Sequence, residues 1–161
     1  MDRKIAYLGL FSGAAILLGY VESLIPIFAA VPGMKLGLAN LAILLVLYQY
    51  GLREAVAVQV VRILVIGFLF GNLFSIGFSM AGGLLSLLVM WILKQIGGFS
   101  MIGVSVAGGL AHNIGQICIA AMVVENFQIF YYLPVLMVSG VITGILIGIL
   151  CGEIRKRILT L

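Results

Sequence analysis

Long apolar runs almost free of charge divide this chain into segments close to one membrane thickness. Six runs are bounded by charges, glycine or proline: Ile5 to Ile25, Leu36 to Tyr50, Ala55 to Phe70, Ile76 to Leu93, Met101 to Val123 and Tyr131 to Cys151. A helix needs about 20 apolar residues to cross the hydrocarbon core, so each run is a candidate span. The second run is short for a full crossing unless its helix is tilted, begins earlier or is partly re-entrant.

The composition excludes an ordinary soluble domain. Hydrophobic residues make up 64% of the 161 residues and charged residues only 9%, and the mean hydropathy is +1.32. Soluble domains are about 45–50% apolar and about 25% charged. Because no linker or low-complexity stretch divides the chain, residues 1–161 are predicted to form a single all-α transmembrane domain, a compact bundle of six helices in the cell membrane.

Lysines and arginines predict the orientation of this bundle, since they accumulate in short cytoplasmic loops. Placing both termini in the cytoplasm puts seven basic residues on that side: Arg3, Lys4, Arg53, Lys94, Arg155, Lys156 and Arg157. Only Lys35 then falls in an outer loop, and Arg62 lies inside the third run. The net charge of +4 is thus explained by topology, and no nucleic-acid partner is predicted.

Three polar residues, His112, Asn113 and Gln116, interrupt the fifth run. At a rise of about 1.5 Å per residue, His112 lies roughly 16 Å from Met101, near the bilayer midplane. His112 and Gln116 are four residues apart and share a helix face, with Asn113 on the neighbouring flank. Buried polar groups without partners cost about 1–3 kcal/mol each. These residues therefore form either an interhelical hydrogen-bond clamp or part of a hydrated cavity.

Polar residues in the other runs favour a cavity that opens to the outer side. Arg62, with Gln59 on the same side, lies near the middle of the third run, where an arginine is costly unless it is paired or hydrated. The predicted binding set is completed by residues at the outer ends of helices: Glu22, Lys35, Asn40 and Asn72. Glu22 and Arg62 are a candidate ion pair. The sequence therefore predicts a small-molecule pocket reaching from the outer surface to the midplane.

Small residues at four-residue spacing form stripes that allow close helix contact. Two stripes are predicted to pack inside the bundle, one in the fifth run (Gly103, Ala107, Ala111, Gly115) and one in the sixth (Gly140, Gly144, Gly148, Gly152). The first run offers the pairs Gly9 with Gly13 and Ala15 with Gly19. This stripe is the predicted docking surface for another membrane protein.

Catalytic and metal-binding motifs are missing from the sequence. Cys118 and Cys151 have no metal-ligand spacing. The chain contains no G-x-x-x-x-G-K-[ST] phosphate loop, so it carries no motif for nucleotide hydrolysis. No catalytic residue, metal or cofactor is predicted.

Four stretches resemble the membrane family labelled Gx transporter, also called heptaprenyl diphosphate synthase component I. They are VESLIPIFAAVPGMKLGLANLAILLVLYQYGLREA, SMAGGLLSLLVM, GVSVAGGLAHNIGQ and YYLPVLMVSGVITGILIGIL. The resemblance covers nearly the whole chain, and its P-G-x-K-L-G-L-A-N and H-N-x-G-Q elements are distinctive.

The resemblance implies a function in uptake. The family is similar to the six-helix S components of energy-coupling factor transporters, which capture vitamins and related compounds from outside. Those proteins work with a transmembrane coupling subunit and two ATPases, and often dock through an A-x-x-x-A pattern in helix one. The nearest equivalents here are Gly9-x-x-x-Gly13 and Ala15-x-x-x-Gly19. The resemblance thus implies a ligand-binding subunit for a vitamin-like, quinone-related or isoprenoid-related metabolite.

The second family label implies a different class of function, a subunit of an enzyme that makes long prenyl diphosphates. Such enzymes bind magnesium diphosphate through aspartate-rich motifs, because hard cations prefer carboxylate oxygens. This chain has a single aspartate, Asp2, and four scattered glutamates. The sequence therefore predicts no catalysis by this chain, and leaves a non-catalytic accessory role in isoprenoid-quinone biosynthesis as the alternative.

Overall fold

The computed structural model describes residues 2–24 and 37–159, with side chains described for 4–24 and 37–157. The described residues form six α-helices: α1 (Asp2–Leu24), α2 (Leu38–Gln49), α3 (Leu52–Phe70), α4 (Leu73–Ile96), α5 (Met101–Val124) and α6 (Leu133–Leu159). A 3-10 helix, Phe127–Tyr132, joins α5 to α6. The described residues contain no β-strand, which confirms the all-helical prediction.

Among the helices in the described part of the chain, four are long and apolar enough to cross a membrane. They lie within Lys4–Leu24, Leu73–Ile96, Met101–Val124 and Phe127–Arg157. The helix α2 has only 12 residues, about 18 Å at 1.5 Å per residue, against a hydrocarbon core of about 30 Å. The helix α3 carries three charges, Arg53, Glu54 and Arg62. Of the six predicted transmembrane helices, four are long and apolar enough to span, and the second run, whose full crossing the sequence leaves open, forms the short helix α2.

The short helix α2 lies at the centre of the bundle. It contacts α1, α3, α4 and α6, while the outer helices contact one another in the order α1, α3, α4, α5 and α6. Its buried residues are Ala39, Ala42, Ile43, Leu44, Leu45, Val46 and Leu47, which cover the whole circumference of the helix. Such all-round burial is what an apolar helix without a polar face requires.

Glycines bring α5 and α6 into close contact, as the stripe in the sixth run predicts. A Cβ at Gly144 would lie 2.6 Å from the Cα of Val106, and a Cβ at Gly148 would lie 2.6 Å from the Cα of Ile102. Gly152 has no described atom within 4 Å of an added Cβ and takes no part in this contact. Three of the four positions in the stripe, Gly140 included, therefore pack inside the bundle.

The α5 residues nearest to the packed glycines of α6 are not those of the stripe predicted in the fifth run. They are Ile102, Ser105, Val106, Gly109 and Asn113. Gly115 instead packs against α4, where an added Cβ would lie 2.8 Å from the carbonyl oxygen of Ala81. Because α5 packs between α4 and α6, its small residues serve two different faces.

Candidate ligand pocket

Residues from all six helices line a small polar cavity at the N-terminal end of α2, which we call the inner chamber. Its lining comprises Glu22, Gly37, Asn40, Arg62, Ser79, Gly109, His112, Asn113, Gly140 and Thr143. The cavity volume is about 40 Å³, and one water needs about 10–15 Å³ on this measure. The inner chamber therefore holds a few waters or one small polar group.

A larger outer chamber adjoins the inner one between α1, α3 and α4. It has a cavity volume of about 200 Å³. Glu22, Arg62 and Ser79 line both chambers and so mark their junction. The rest of the lining mixes apolar and small residues: Gly19, Ser23, Ile63, Ile66, Gly67, Phe70, Gly71 and Ser75. The two chambers together offer a polar end and a more apolar end.

The start of α2 holds Glu22 in place at this junction. Gly37 has a φ of 71°, in the left-handed region that glycine adopts at low cost. Its backbone N–H donates a hydrogen bond of 2.5 Å to the Oε1 of Glu22. A Cβ added at position 37 would also lie 3.0 Å from the Cδ1 of Ile147. A glycine is therefore required where the chain enters α2 beside the pocket.

Arg62 and Glu22 both line the pocket but do not form the candidate ion pair of the sequence analysis. Within the described part of the chain, the ion pairs are Lys4 with Glu54 and Lys156 with Glu153. The Nη2 of Arg62 donates instead to the Oε1 of Gln59 at 2.9 Å. The Nε of Arg62 is buried and has no hydrogen-bond partner in this part of the chain. One positive and one negative group thus line the same space separately.

The polar residues of α5 have different surroundings, although they lie within two helical turns. His112 lines the inner chamber. Asn113 also touches the chamber, but its Nδ2 donates a 2.5 Å hydrogen bond to the carbonyl oxygen of Leu136 in α6. The clamp alternative therefore applies to Asn113, which joins α5 to α6 beside the pocket.

Gln116 lies outside the linings of both chambers, contrary to its predicted place with His112. It is buried, and a Cβ at Gly82 of α4 would lie 2.6 Å from its Cγ. Gln59 of α3 packs in the same manner against Gly83. A rotation of about 40° and a rise of about 6 Å over four residues direct Gln116 toward α4. The glycine pair of α4 thus accommodates a glutamine from each neighbouring helix.

Asn72, another predicted binding residue, lies outside the linings of both chambers. Asn72 is exposed at the start of α4, where its Oδ1 accepts a 2.8 Å hydrogen bond from the N–H of Ser75. This contact is an N-cap, which explains an asparagine at this position without any ligand. Lys35 lies outside the described residues.

Sequence reasoning missed Ser79 and Thr143, which line the inner chamber from α4 and α6. Serine and threonine are common in membrane helices because their hydroxyls bond to the preceding turn. Thr143 does this, donating to the carbonyl oxygen of Ser139 at 2.9 Å. Residue type alone therefore does not indicate a pocket at these two positions. Only the packing of the bundle places them in the same cavity lining as His112 and Arg62.

The predicted docking stripe of α1 divides between an open face and the bundle interior. Gly9 and Gly13 are exposed, and no described atom lies within 4 Å of a Cβ added at either position. Ala15 is fully buried, and a Cβ at Gly19 would contact the Cγ1 of Ile66 at 3.5 Å. Only Gly9 and Gly13 therefore lie on a surface that a partner can reach.

A comparison with known proteins identifies the family of the chain. The sequence model of the family described as heptaprenyl diphosphate synthase component I matches residues 11–154. No curated protein and no solved structure matches the chain. The matched range takes in all the residues of the inner chamber. On this match, the chain belongs to the heptaprenyl diphosphate synthase component I family.

Proposed function

We propose that this protein is the substrate-binding subunit, of S-component type, of an energy-coupling factor importer. The observation that carries the proposal is the inner chamber, to which every helix of the bundle contributes a lining residue. Ligand sites in helical membrane proteins commonly lie between helices and combine apolar walls with a few polar groups. Under the proposed topology the chamber opens outward, as capture from outside the cell requires.

The charges at the junction of the chambers define the ligand that fits. Glu22 and Arg62 line the same space without pairing, so a head group with charge of one sign leaves the other side chain uncompensated. A head group that both donates and accepts hydrogen bonds satisfies both residues. Ile63, Ile66 and Phe70 then offer apolar contact for the body of the ligand. A small vitamin-like, quinone-related or isoprenoid-related metabolite combines such a polar head group with an apolar body.

The sequence contains no phosphate loop, so uptake is either powered by partner ATPases, ion-coupled or passive, and we propose partner ATPases. A transmembrane coupling subunit with two ATPases supplies the energy in the proposed assembly. The open face of α1 supports docking to such a subunit, since Gly9 and Gly13 are accessible and Leu10 and Leu17 beside them are exposed. Small residues next to large apolar ones allow close contact between membrane helices.

Ligand capture is tested by native mass spectrometry of the gently extracted protein, searching for a co-purified small molecule. Glu22→Gln and Arg62→Gln should each weaken its retention by about tenfold to a hundredfold, the effect of losing roughly 1–3 kcal/mol of hydrogen bonding. Asn72→Ala is the matched control, because Asn72 is polar and lies near the same end of the bundle but outside the pocket. Equal retention in all three variants would remove the pocket from the proposal.

Docking is tested by co-purification with a coupling subunit and ATPases. Gly13→Leu should abolish the complex and leave the bundle folded, because Gly13 is exposed and a Cβ added there meets no described atom within 4 Å. Gly77→Leu on α4 is the control, since Gly77 is equally open. A complex that survives Gly13→Leu would place the docking surface elsewhere.

The family description favours a second candidate, a non-catalytic accessory component of heptaprenyl diphosphate synthase. Stable co-purification with a soluble prenyl synthase, and no co-purification with ATPases, would distinguish this accessory role from uptake. Under either function the isolated chain should elongate no prenyl diphosphate when given precursors and magnesium, because it has one aspartate and such enzymes bind magnesium through clustered carboxylates. Elongation by the purified chain alone would contradict both proposals.

A further inference from the structure

Two positively charged side chains from different helices meet at one aromatic ring near the C-terminal end of α2. The Nζ of Lys94, on α4, lies 5.2 Å from the ring centroid of Tyr48. The Cζ of Arg155, on α6, lies at the same distance of 5.2 Å. Each contact is within the range of a cation–π interaction. The arrangement places two like charges beside the same ring, on a helix that carries neither of them.

Nothing in the described part of the chain neutralises these two charges. The ion pairs there use Lys4 with Glu54 and Lys156 with Glu153. Lys94 donates one hydrogen bond of 2.8 Å to the carbonyl oxygen of Leu47, which leaves two of its N–H donors. The Nε of Arg155 is buried and has no hydrogen-bond partner in this part of the chain. Like charges close together are unfavourable without an anion between them.

We propose that Lys94 and Arg155 bind the phosphate group of an anionic lipid. Arginine presents a planar fork of donors that matches phosphate, and lysine adds a compact point charge. Basic sites between membrane helices on the cytoplasmic side bind anionic headgroups, and the distribution of lysine and arginine predicts that this end of the bundle is cytoplasmic. The site lies at the opposite end of α2 from Asn40 and the inner chamber, and it does not depend on the proposed uptake function.

Native mass spectrometry of the full chain in detergent tests the proposal, with phosphatidylglycerol and phosphatidylcholine as probes. Phosphatidylglycerol should be retained and phosphatidylcholine should not, since only the first has net negative charge. Arg155→Gln and Lys94→Gln should each reduce phosphatidylglycerol retention about tenfold, as the loss of one charge-assisted hydrogen bond predicts. Inorganic phosphate and glycerol phosphate are added as competitors, and displacement by either at equal concentration would assign the site to free phosphate instead.

Lys156→Gln is the matched control, because it removes the same charge from the same helix at an exposed position. Equal loss of lipid in this control would show general surface attraction and overturn the proposal. Melting temperature is measured for every variant with and without phosphatidylglycerol. The lipid should stabilise the wild type and Lys156→Gln but not Arg155→Gln. If Arg155→Gln melts lower yet keeps full lipid retention, the two cations serve only to hold α2, and the proposal fails.

Discussion

At the scale of single residues, the polar groups of α5 show how neighbouring positions acquire separate roles. His112 faces the inner chamber, Asn113 bonds to the backbone of α6, and Gln116 packs against a glycine of α4. An α-helix turns by about 100° per residue, so residues a turn apart still differ in direction and height. In a helix packed on two sides, that difference decides which neighbour each side chain meets.

We predict that His112→Ala weakens ligand binding and that Gln116→Ala lowers stability. His112→Ala should reduce retention of the co-purified ligand by about tenfold, because it removes a polar group from the pocket, with little change in melting temperature. Gln116→Ala should leave retention nearly unchanged and lower the free energy of unfolding by about 1–3 kcal/mol through lost packing. Both quantities are measured on the same samples. The reverse pattern would return Gln116 to the binding site and remove His112 from it.

At the scale of helices, glycine positions set how closely α4 can approach its neighbours. Gly82 packs against the side chain of Gln116 from α5, and Gly83 packs against that of Gln59 from α3. In a membrane, helices associate through van der Waals packing and polar contacts, since burial from water contributes little between them. Contacts at these glycines therefore stabilise the bundle in a way that hydropathy does not report.

We predict that Gly82→Ala destabilises the bundle and that Gly77→Ala does not. A Cβ at Gly82 would lie 2.8 Å from the backbone carbonyl oxygen of His112, so α4 and α5 have to move apart. Forcing extra atoms into a packed interior typically costs about 1–3 kcal/mol. No described atom lies within 4 Å of a Cβ at Gly77 on the same helix, and alanine has the higher helix propensity.

Thermal unfolding in detergent, followed by circular dichroism, compares these two variants with the wild type. Gly82→Ala should melt at a lower temperature, and it should also retain less ligand because His112 moves with α5. Melting of Gly82→Ala at or above the wild-type temperature would show that α4 and α5 are not in close contact at this position.

At the scale of the whole molecule, the orientation in the membrane remains a prediction from charge. Both termini are expected in the cytoplasm and residues 26–35 outside, a segment beyond the described residues. Cysteine labelling tests this after Cys118 and Cys151 are replaced. Gly33→Cys should react with an impermeant reagent in intact cells, and Gln95→Cys, at the exposed end of α4, should react only after permeabilisation. The opposite pattern would invert the bundle and place the pocket on the cytoplasmic side.

Several properties of this protein follow from the sequence alone, because they depend on local composition. The helical class and the approximate ends of the helices follow from apolar runs such as Met101 to Val123, which the structure places in α5 (Met101–Val124). The family follows from motifs that are contiguous in the chain. Glu22, Asn40, Arg62 and His112 were identified as binding candidates because polar residues are rare and costly in apolar helices, and all four line the inner chamber.

Other properties were decided by the tertiary structure. An apolar helix of 12 residues without a polar face is expected to be buried, but only the packed bundle shows that it lies between α1, α3, α4 and α6. Polarity marked Gln116 and Asn72 as strongly as His112, yet Gln116 packs against Gly82 and Asn72 caps α4. The convergence of Lys94 and Arg155 on Tyr48 joins residues far apart in the chain. A hydropathy pattern records how a residue interacts with lipid, whereas a site depends on which helix faces that residue, and only the packed bundle determines this.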